Sequence, residues 1–174
     1  MKPGSGGVVV VILAGLLARG VPAAAQFRER PSPAVSFLAG PSSYDLSGRG
    51  TAVAAAVRVD VPTGRLFIIE PGIGFFRYRT RFGQTIKYLL PEISFQLQPG
   101  RGAVRPYVGV GAGFSEYLTG PGASPGTVHA AAGVRVAVTG NYGFRGEVRI
   151  RGLDPFSGQR MTDLSVGVSK RLGR

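Results

Sequence analysis

The chain has no cysteine and no tryptophan, a single histidine, and 9 acidic residues against 21 basic ones. Without cysteine there is no disulfide framework and no thiolate to act as nucleophile or metal ligand. One histidine, His129, is too few for a transition-metal site, and no cofactor is expected. Beyond the first two dozen residues there is no run of about 18 apolar residues, so nothing there reads as a transmembrane helix. Helical periodicity of convincing length is also lacking. What is plentiful is glycine, 28 of 174 residues. That composition suits many turns and close backbone approach better than a helical bundle.

The first segment, MKPGSGGVVVVILAGLLARGVPAAAQ, carries Lys2, an apolar run from Val8 to Ala18, and then Ala23-Ala24-Ala25. A charged start, a short apolar stretch and a small-residue cleavage site make an export signal, with cleavage expected after Ala25. The chain therefore divides into a signal peptide (1–25), a short polar lead-in (26–33) and one domain (34–173). The net charge of +12 raises the question of nucleic acid. Removing Lys2 and Arg19 with the signal leaves 19 basic against 9 acidic residues, still strongly positive. The basic residues are nevertheless spread along the chain rather than gathered in a tract, and no RNP or zinc-finger pattern accompanies them. No nucleic-acid partner is expected.

From residue 34 onward the apolar period is two, with separators rich in Gly, Pro, Ser and Asn. Strands are predicted at about 34–40, 51–61, 65–78, 86–97, 105–117, 128–139, 142–152 and 163–172. VPTGR and TGNYG read as short turns, and GPSSYDLSGRG, TGPGASPGT and LDPFSGQRMTD as longer loops. An even number of strands with alternating short and long connections fits an antiparallel meander. The stretch YGFRGEVRIRG (142–152) shows the pattern at its sharpest. Arg145, Glu147, Arg149 and Arg151 fall on one face, Phe144, Val148 and Ile150 on the other.

Alternation alone does not distinguish a soluble sandwich from a barrel standing in lipid with its polarity inverted. Three features favour the barrel. The polar face is rich in glycine (Gly72, Gly74, Gly109, Gly111, Gly113, Gly133, Gly167), which weakens a solvated strand but relieves crowding inside a small barrel. The same face mixes signs, as an enclosed interior requires: Arg58, Asp60, Glu70, Glu92, Arg135, Arg145, Glu147, Arg149 and Arg151. Finally, the charges in phase with the apolar face, Arg77, Lys87, Glu116 and Lys170, lie near strand ends. On a lipid-facing wall a Lys or Arg costs about 2–4 kcal/mol at mid-membrane but about 0–1 near the interface. The expected fold is all-β: an eight-stranded antiparallel up-and-down transmembrane β-barrel.

With its export signal, eight alternating strands, RPYVGVGAGFSEY (105–117) and DLSVGVSKRLGR (163–174), the chain resembles the small outer-membrane β-barrel family of the OmpA/OmpX-like type. KYLLPEISFQLQPG (87–100) is similar to a barrel strand with a central proline in related porin-like proteins. The resemblance covers about 34–172. It implies a Gram-negative-type outer membrane, an N-terminus in the periplasm, and the barrel-assembly machinery as partner during insertion. One departure is the C-terminus. Family members usually end in an aromatic and a terminal Phe, whereas here Lys170 and Leu172 hold those positions and Gly173-Arg174 follow.

Catalysis is not expected. His129 reads as a polar residue at the extracellular rim, flanked on its face by Ala131 and Gly133, with no serine at a useful spacing. GVGAGF (109–114) lacks the third glycine and the following helix of a phosphate loop. Eight strands leave an interior that side chains fill, so a wide channel is not expected either. Glu147, two positions from both Arg145 and Arg149, is the best-placed acid for a lumen network. Around the second outer loop, Arg77, Arg79, Arg81 and Lys87 suit lipopolysaccharide phosphates, though a solvated loop with scattered charge fits as well. The expected role is a monomeric structural or surface-interaction protein of the cell outer membrane, in contact with its lipid and lipopolysaccharide. The alternatives are a soluble exported barrel or sandwich binding a small apolar ligand, and a lipid-modifying membrane enzyme.

Overall fold

The computed structural model describes residues 32–45, 49–80, 82–100, 102–118, 124–153 and 159–173. The expected export signal, nearly all of the lead-in and Arg81 lie outside them. The strands are β1 Ala34–Asp45, β2 Arg49–Pro62, β3 Phe67–Arg79, β4 Thr85–Leu97, β5 Val104–Phe114, β6 Glu116–Tyr117, β7 Gly126–Thr139, β8 Tyr142–Leu153 and β9 Gln159–Arg171. β6 is a two-residue continuation of β5 beyond Ser115, still held on β4 by the pairs Tyr88↔Tyr117 and Leu89↔Glu116. Eight long strands therefore build the wall. Among the described residues no helix is long and apolar enough to cross a membrane.

Every pairing is antiparallel, and the order β3-β2-β1-β9-β8-β7-β5-β4 is closed by β3 against β4 from Phe67↔Leu97 to Arg79↔Thr85. First and last long strands meet through Val35↔Lys170 and Phe37↔Val168. One sheet closed on itself leaves no long strand with a free edge, and the sandwich alternative falls with that closure. Both ends of the meander and the connections 62–67, 97–104 and 139–142 lie at one end of the barrel, the termini end. The connections 45–49, 79–85, 117–126 and 153–159 lie at the other, the loop end. The 98–103 connection is tied to its neighbours by Gln98 N–H donating to Leu66 O (2.7 Å) and Ala137 N–H to Ala103 O (2.8 Å).

Two expected loops are partly strand. β1 runs on through Pro41–Asp45, and β9 begins at Gln159 rather than near 163. The Pro, Ser and Gly that mark these stretches as loops are held extended by each other: Ser42 faces Asp163 and Tyr44 faces Met161 in the register. The Ser42 hydroxyl donates to Asp163 across the seam (2.6 Å). Long-range pairing overrides the local composition.

The polarity is inverted relative to a soluble sheet. Val53 and Val166 are each 68% exposed on the outer wall, while Arg149 is 0% exposed inside. Phe37, Phe67, Ile73, Phe95, Val110 and Phe144 also face outward. The inward-facing glycines explain themselves by what stands over them. A Cβ on Gly72 would meet the Arg58 side chain, on Gly111 the His129 ring, and on Gly133 the Tyr107 phenol and a neighbouring carbonyl. These glycines give the large polar side chains their space. Overfilling a packed interior costs about 1–3 kcal/mol, so Gly133→Ala is expected to destabilise the barrel by about that much in urea unfolding. Gly64→Ala, in an open turn with nothing within 4 Å of its Cβ, is expected to change little.

Candidate functional site: the polar interior and the basic loop end

Alternation places Arg58 and Asp60 of β2, Glu70 of β3, Glu92 of β4, Arg135 of β7 and the four charged residues of β8 on the inner face, and closure points them at one another. All nine acids and arginines expected inside are buried: Arg58, Asp60, Glu70, Glu92, Arg135, Arg145, Glu147, Arg149 and Arg151. A tenth, Asp163 on β9, joins them. Five guanidinium groups thus meet five carboxylates, and their formal charges cancel.

Glu70 is the hub. It contacts Arg58 (3.3 Å), Arg135 (3.2 Å), Arg149 (3.3 Å) and, most closely, Arg145. Glu147 meets Arg58 (3.2 Å), Arg145 (2.6 Å) and Arg149 (2.9 Å), and accepts the Tyr107 hydroxyl (2.6 Å). Glu92 takes Arg58 (3.2 Å), Arg149 (2.5 Å) and Arg151 (3.2 Å). Asp60 pairs with Arg135 (3.0 Å), and Asp163 pairs with Arg151. Glu147, the acid expected to be best placed, meets both arginines beside it on β8 and Arg58 from β2, three against the four of Glu70. Glu70 sees more arginines because it looks across the barrel from β3.

The polar zone is more than ions. Tyr107 lies against two guanidinium groups, Arg135 at 4.1 Å and Arg145 at 4.9 Å from the ring centre, and accepts Arg145 Nε–H (2.8 Å). Gln96 and Gln98 accept from Arg135 at 2.6 and 2.9 Å. Toward the loop end the lining turns apolar. Tyr44, Phe76, Tyr78, Tyr88, Leu90, Leu153 and Met161 form a buried cluster, with Tyr78 and Tyr88 stacked at 6.1 Å. The sequence expectations do not include this aromatic plug, although its members on β3, β4, β8 and β9 are in phase with the inward-facing charges of their strands; β1, which supplies Tyr44, has no such charge. A void of about 10 Å³ remains beside Arg58, Arg151, Asp163, Leu38 and Leu90. That is about the room one water needs, far too little for an apolar ligand.

His129 corrects its expectation. It is not at the rim but buried in the interior, and a serine does stand beside it: Ser94 Oγ lies 2.8 Å from Nε2. Arg149 Nη1 also approaches Nε2, at 3.0 Å. A guanidinium only donates, so Nε2 accepts and the ring proton sits on Nδ1, 3.5 Å from Glu92 Oε2. Ser94, His129 and Glu92 therefore form a serine–histidine–carboxylate line. It is not a catalytic one. All three are buried, and Arg149 occupies the nitrogen a general base would use. Among the described residues no group of three His, Asp or Glu could hold a metal ion.

At the loop end Arg77 and Lys87 are cross-strand partners on the wall face of β3 and β4. Arg79 folds back over its hairpin, Nε–H donating to Gly83 O (3.1 Å), where Gly83 turns with φ +78°. Below them a shallow depression of about 740 Å³ is lined by Thr51, Val53, Ala55, Phe75, Arg77 and Arg79. Its floor is apolar and its upper rim basic.

Removing one member of a buried, paired network leaves its partners uncompensated, at about 3–5 kcal/mol. Arg145→Ala takes from Glu70 its nearest guanidinium, removes one of three from Glu147 and leaves the interior one positive charge short, and is expected to cost that much in urea unfolding of the detergent-solubilised protein. Arg160→Ala, exposed at the loop end, is expected to stay within about 0.5 kcal/mol.

No family model matches the chain, and no curated protein is detectably similar to it in sequence. Solved structures are similar in fold. The Neisserial surface protein A structure shares 15% identity, with 80% of this chain and 97% of that one covered and a TM-score of 0.68. Ail, the attachment invasion locus protein of Yersinia pestis, shares 11% identity over 82% and 100%, with a TM-score of 0.56. Outer membrane protein AlkL, solved in DMPC bilayers, shares 15% over 89% and 97%, with a TM-score of 0.56. The chain has the fold of small outer-membrane β-barrel proteins.

Proposed function

We propose that the protein is an integral outer-membrane barrel whose role is structural or surface-interacting, without catalysis. One observation carries this reading: the wall is apolar all round while the interior is ionic and self-neutralising. In water such a molecule would expose a continuous belt of Val, Ile and Phe far larger than a soluble monomer tolerates. In lipid the same belt is satisfied, and a closed barrel leaves no backbone edge unpaired. The likeness to solved outer-membrane barrels, one of them determined in lipid bilayers, supports the location. The export signal and insertion by the barrel-assembly machinery belong to the same reading. The interior argues against a soluble carrier, since side chains fill the space an apolar ligand would need.

The basic residues of the second outer loop, Arg77, Arg79 and Lys87 at the loop end together with Arg81 from the sequence between them, complete the proposal as a contact for lipopolysaccharide. Phosphate oxygens pair well with arginine, and the apolar floor beneath Arg77 and Arg79 suits an acyl chain.

On membrane fractionation the protein is expected in the detergent-extracted outer-membrane fraction, with faster gel migration unheated than boiled; recovery in the buffer-soluble fraction would refute the reading. Val166→Arg, near the middle of β9, is expected to cost about 2–4 kcal/mol in lipid, where a soluble barrel would accept it at its surface. Replacing Arg77, Arg79, Arg81 and Lys87 by Ala is expected to lower lipopolysaccharide co-purification several-fold without altering heat-dependent migration. Undiminished co-purification would remove the lipopolysaccharide contact and leave the barrel standing.

A further inference from the structure

The five arginines enclosed in the lumen are matched to carboxylates, but two on the wall are not. Phe75, Arg77 and Arg79 are exposed in the outward phase of β3, alternating with the buried Phe76 and Tyr78. Among the described residues no carboxylate pairs with Arg77 or Arg79. Arg79 is held by its own turn. Its Nε–H donates to Gly83 O (3.1 Å), and the Tyr44 hydroxyl donates to its carbonyl (3.3 Å). Thr80 N–H closes the hairpin on Gln84 O (2.8 Å). The terminal nitrogens of Arg79 are left for a ligand, two residues along the same face from Arg77.

Below this pair the wall is hollow. In the register Val53 faces Arg77 and Ala55 faces Phe75, with Ala39 on the far side of Ala55. Ala39 and Ala55 are exposed methyl groups beside the larger Val53, Val57 and Phe75, so the wall steps inward there. The resulting trough, of about 740 Å³, runs from the arginines onto the apolar face. Small-ligand sites occupy about 300–1,000 Å³. Thr51 on β2 and Thr85 on β4 line its upper end, Thr85 as the register partner of Arg79.

Two demands fix the occupant. Free phosphate would satisfy the guanidinium groups and leave the trough unfilled. A neutral acyl lipid would fill the trough and leave the arginines without a counter-charge. One molecule meets both demands when a phosphate and an acyl chain are joined by a short polar bridge. Threonine hydroxyls donate and accept, which suits a bridge bearing hydroxyl and amide groups, as an acylated sugar does.

We propose that this trough seats a single lipid A unit of lipopolysaccharide, its phosphate on Arg77 and Arg79 and one acyl chain over Ala55. The inference rests on the lipopolysaccharide contact proposed above and narrows it from a charged patch to a one-lipid site on the β2–β4 sector. The two halves of the site act together. The arginines fix the headgroup where its chain can lie in the trough, and a filled trough pushes the phosphate off the arginines.

Native mass spectrometry of the detergent-solubilised protein titrated with lipid A tests the seat, and one lipid A per barrel is expected to be retained. Ala55→Leu fills the trough and keeps both arginines, and is expected to lower retention several-fold. Ala112→Leu, exposed on the wall face of β5 away from the trough, is expected to leave it unchanged. Replacing Arg77 and Arg79 by Gln is expected to lower retention several-fold. Dephosphorylated lipid A is expected to bind the parent about as weakly as intact lipid A binds this Gln variant. In the Gln variant dephosphorylation is expected to make little further difference, because phosphate and arginines act as one pair. Undiminished retention in Ala55→Leu, an equal fall in Ala112→Leu, or equal retention of phosphatidylglycerol by the parent overturns the seat. Heat-dependent gel migration reports whether each variant is folded, and Ala55→Val is the smaller filling to use if Ala55→Leu is not. If the filled variant retains lipid A and the Gln variant loses it, the charged contact stands and the seat falls. If the Gln variant retains it as well, both fall.

Discussion

Glu70 holds four arginines, and the rest of the molecule is arranged so that it can. A carboxylate and a guanidinium taken out of water are each strongly unfavourable alone. Five of each are enclosed here, and all but Asp163 find a partner on a strand that is not their neighbour. Arg58 reaches from β2, Glu92 from β4, Arg135 from β7, and Arg145, Glu147, Arg149 and Arg151 from β8. Only a closed sheet brings these strands face to face. The network therefore demands closure, and closure leaves the opposite face of every strand pointing outward. Because successive side chains alternate, that outward face is Val, Ile and Phe. The apolar wall is the counterpart of the filled interior.

Filling the interior with ions has a second consequence. Long arginines need space, and the glycines at 72, 109, 111 and 133 supply it by letting Arg58, Gln96, His129 and Tyr107 lie against the wall. Above the ions the aromatic plug of Tyr44, Phe76, Tyr78 and Tyr88 closes the loop end. The barrel is thus stoppered by rings at one end and held by charges through its middle. Little internal space is left for substrate or solute, so any interaction of the protein with other molecules belongs to its rims and wall.

The fold was largely legible in the sequence because strand alternation is a local signal. Arg145, Glu147, Arg149 and Arg151 announce one face within a single strand, and the phase carries over from each strand to the next. What lay beyond reach was anything set by register and closure. Glu147 looks best placed because its arginines are two residues away, while the partners of Glu70 are on β2, β7 and β8. His129 looks solitary because Ser94 and Glu92 come to it from another strand. The extension of β1 through Pro41–Asp45 was hidden for the same reason, since its loop-like composition is overruled by β9. Tyr107, His129 and Asp163 are a different case. Each is in phase with the inward-facing residues of its own strand, and following that phase would have placed all three inside.

The central claim concerns which way the two faces point, and β9 offers the most direct place to measure it. The chain lacks cysteine, so single cysteines at 164, 165, 166 and 168 can each carry a spin label in protein reconstituted in lipid. The account predicts that labels at 164, 166 and 168 are relaxed by oxygen dissolved in the bilayer and shielded from a water-soluble nickel complex, with 165 shielded from both. Relaxation of 164, 166 and 168 by the nickel complex rather than by oxygen would contradict it.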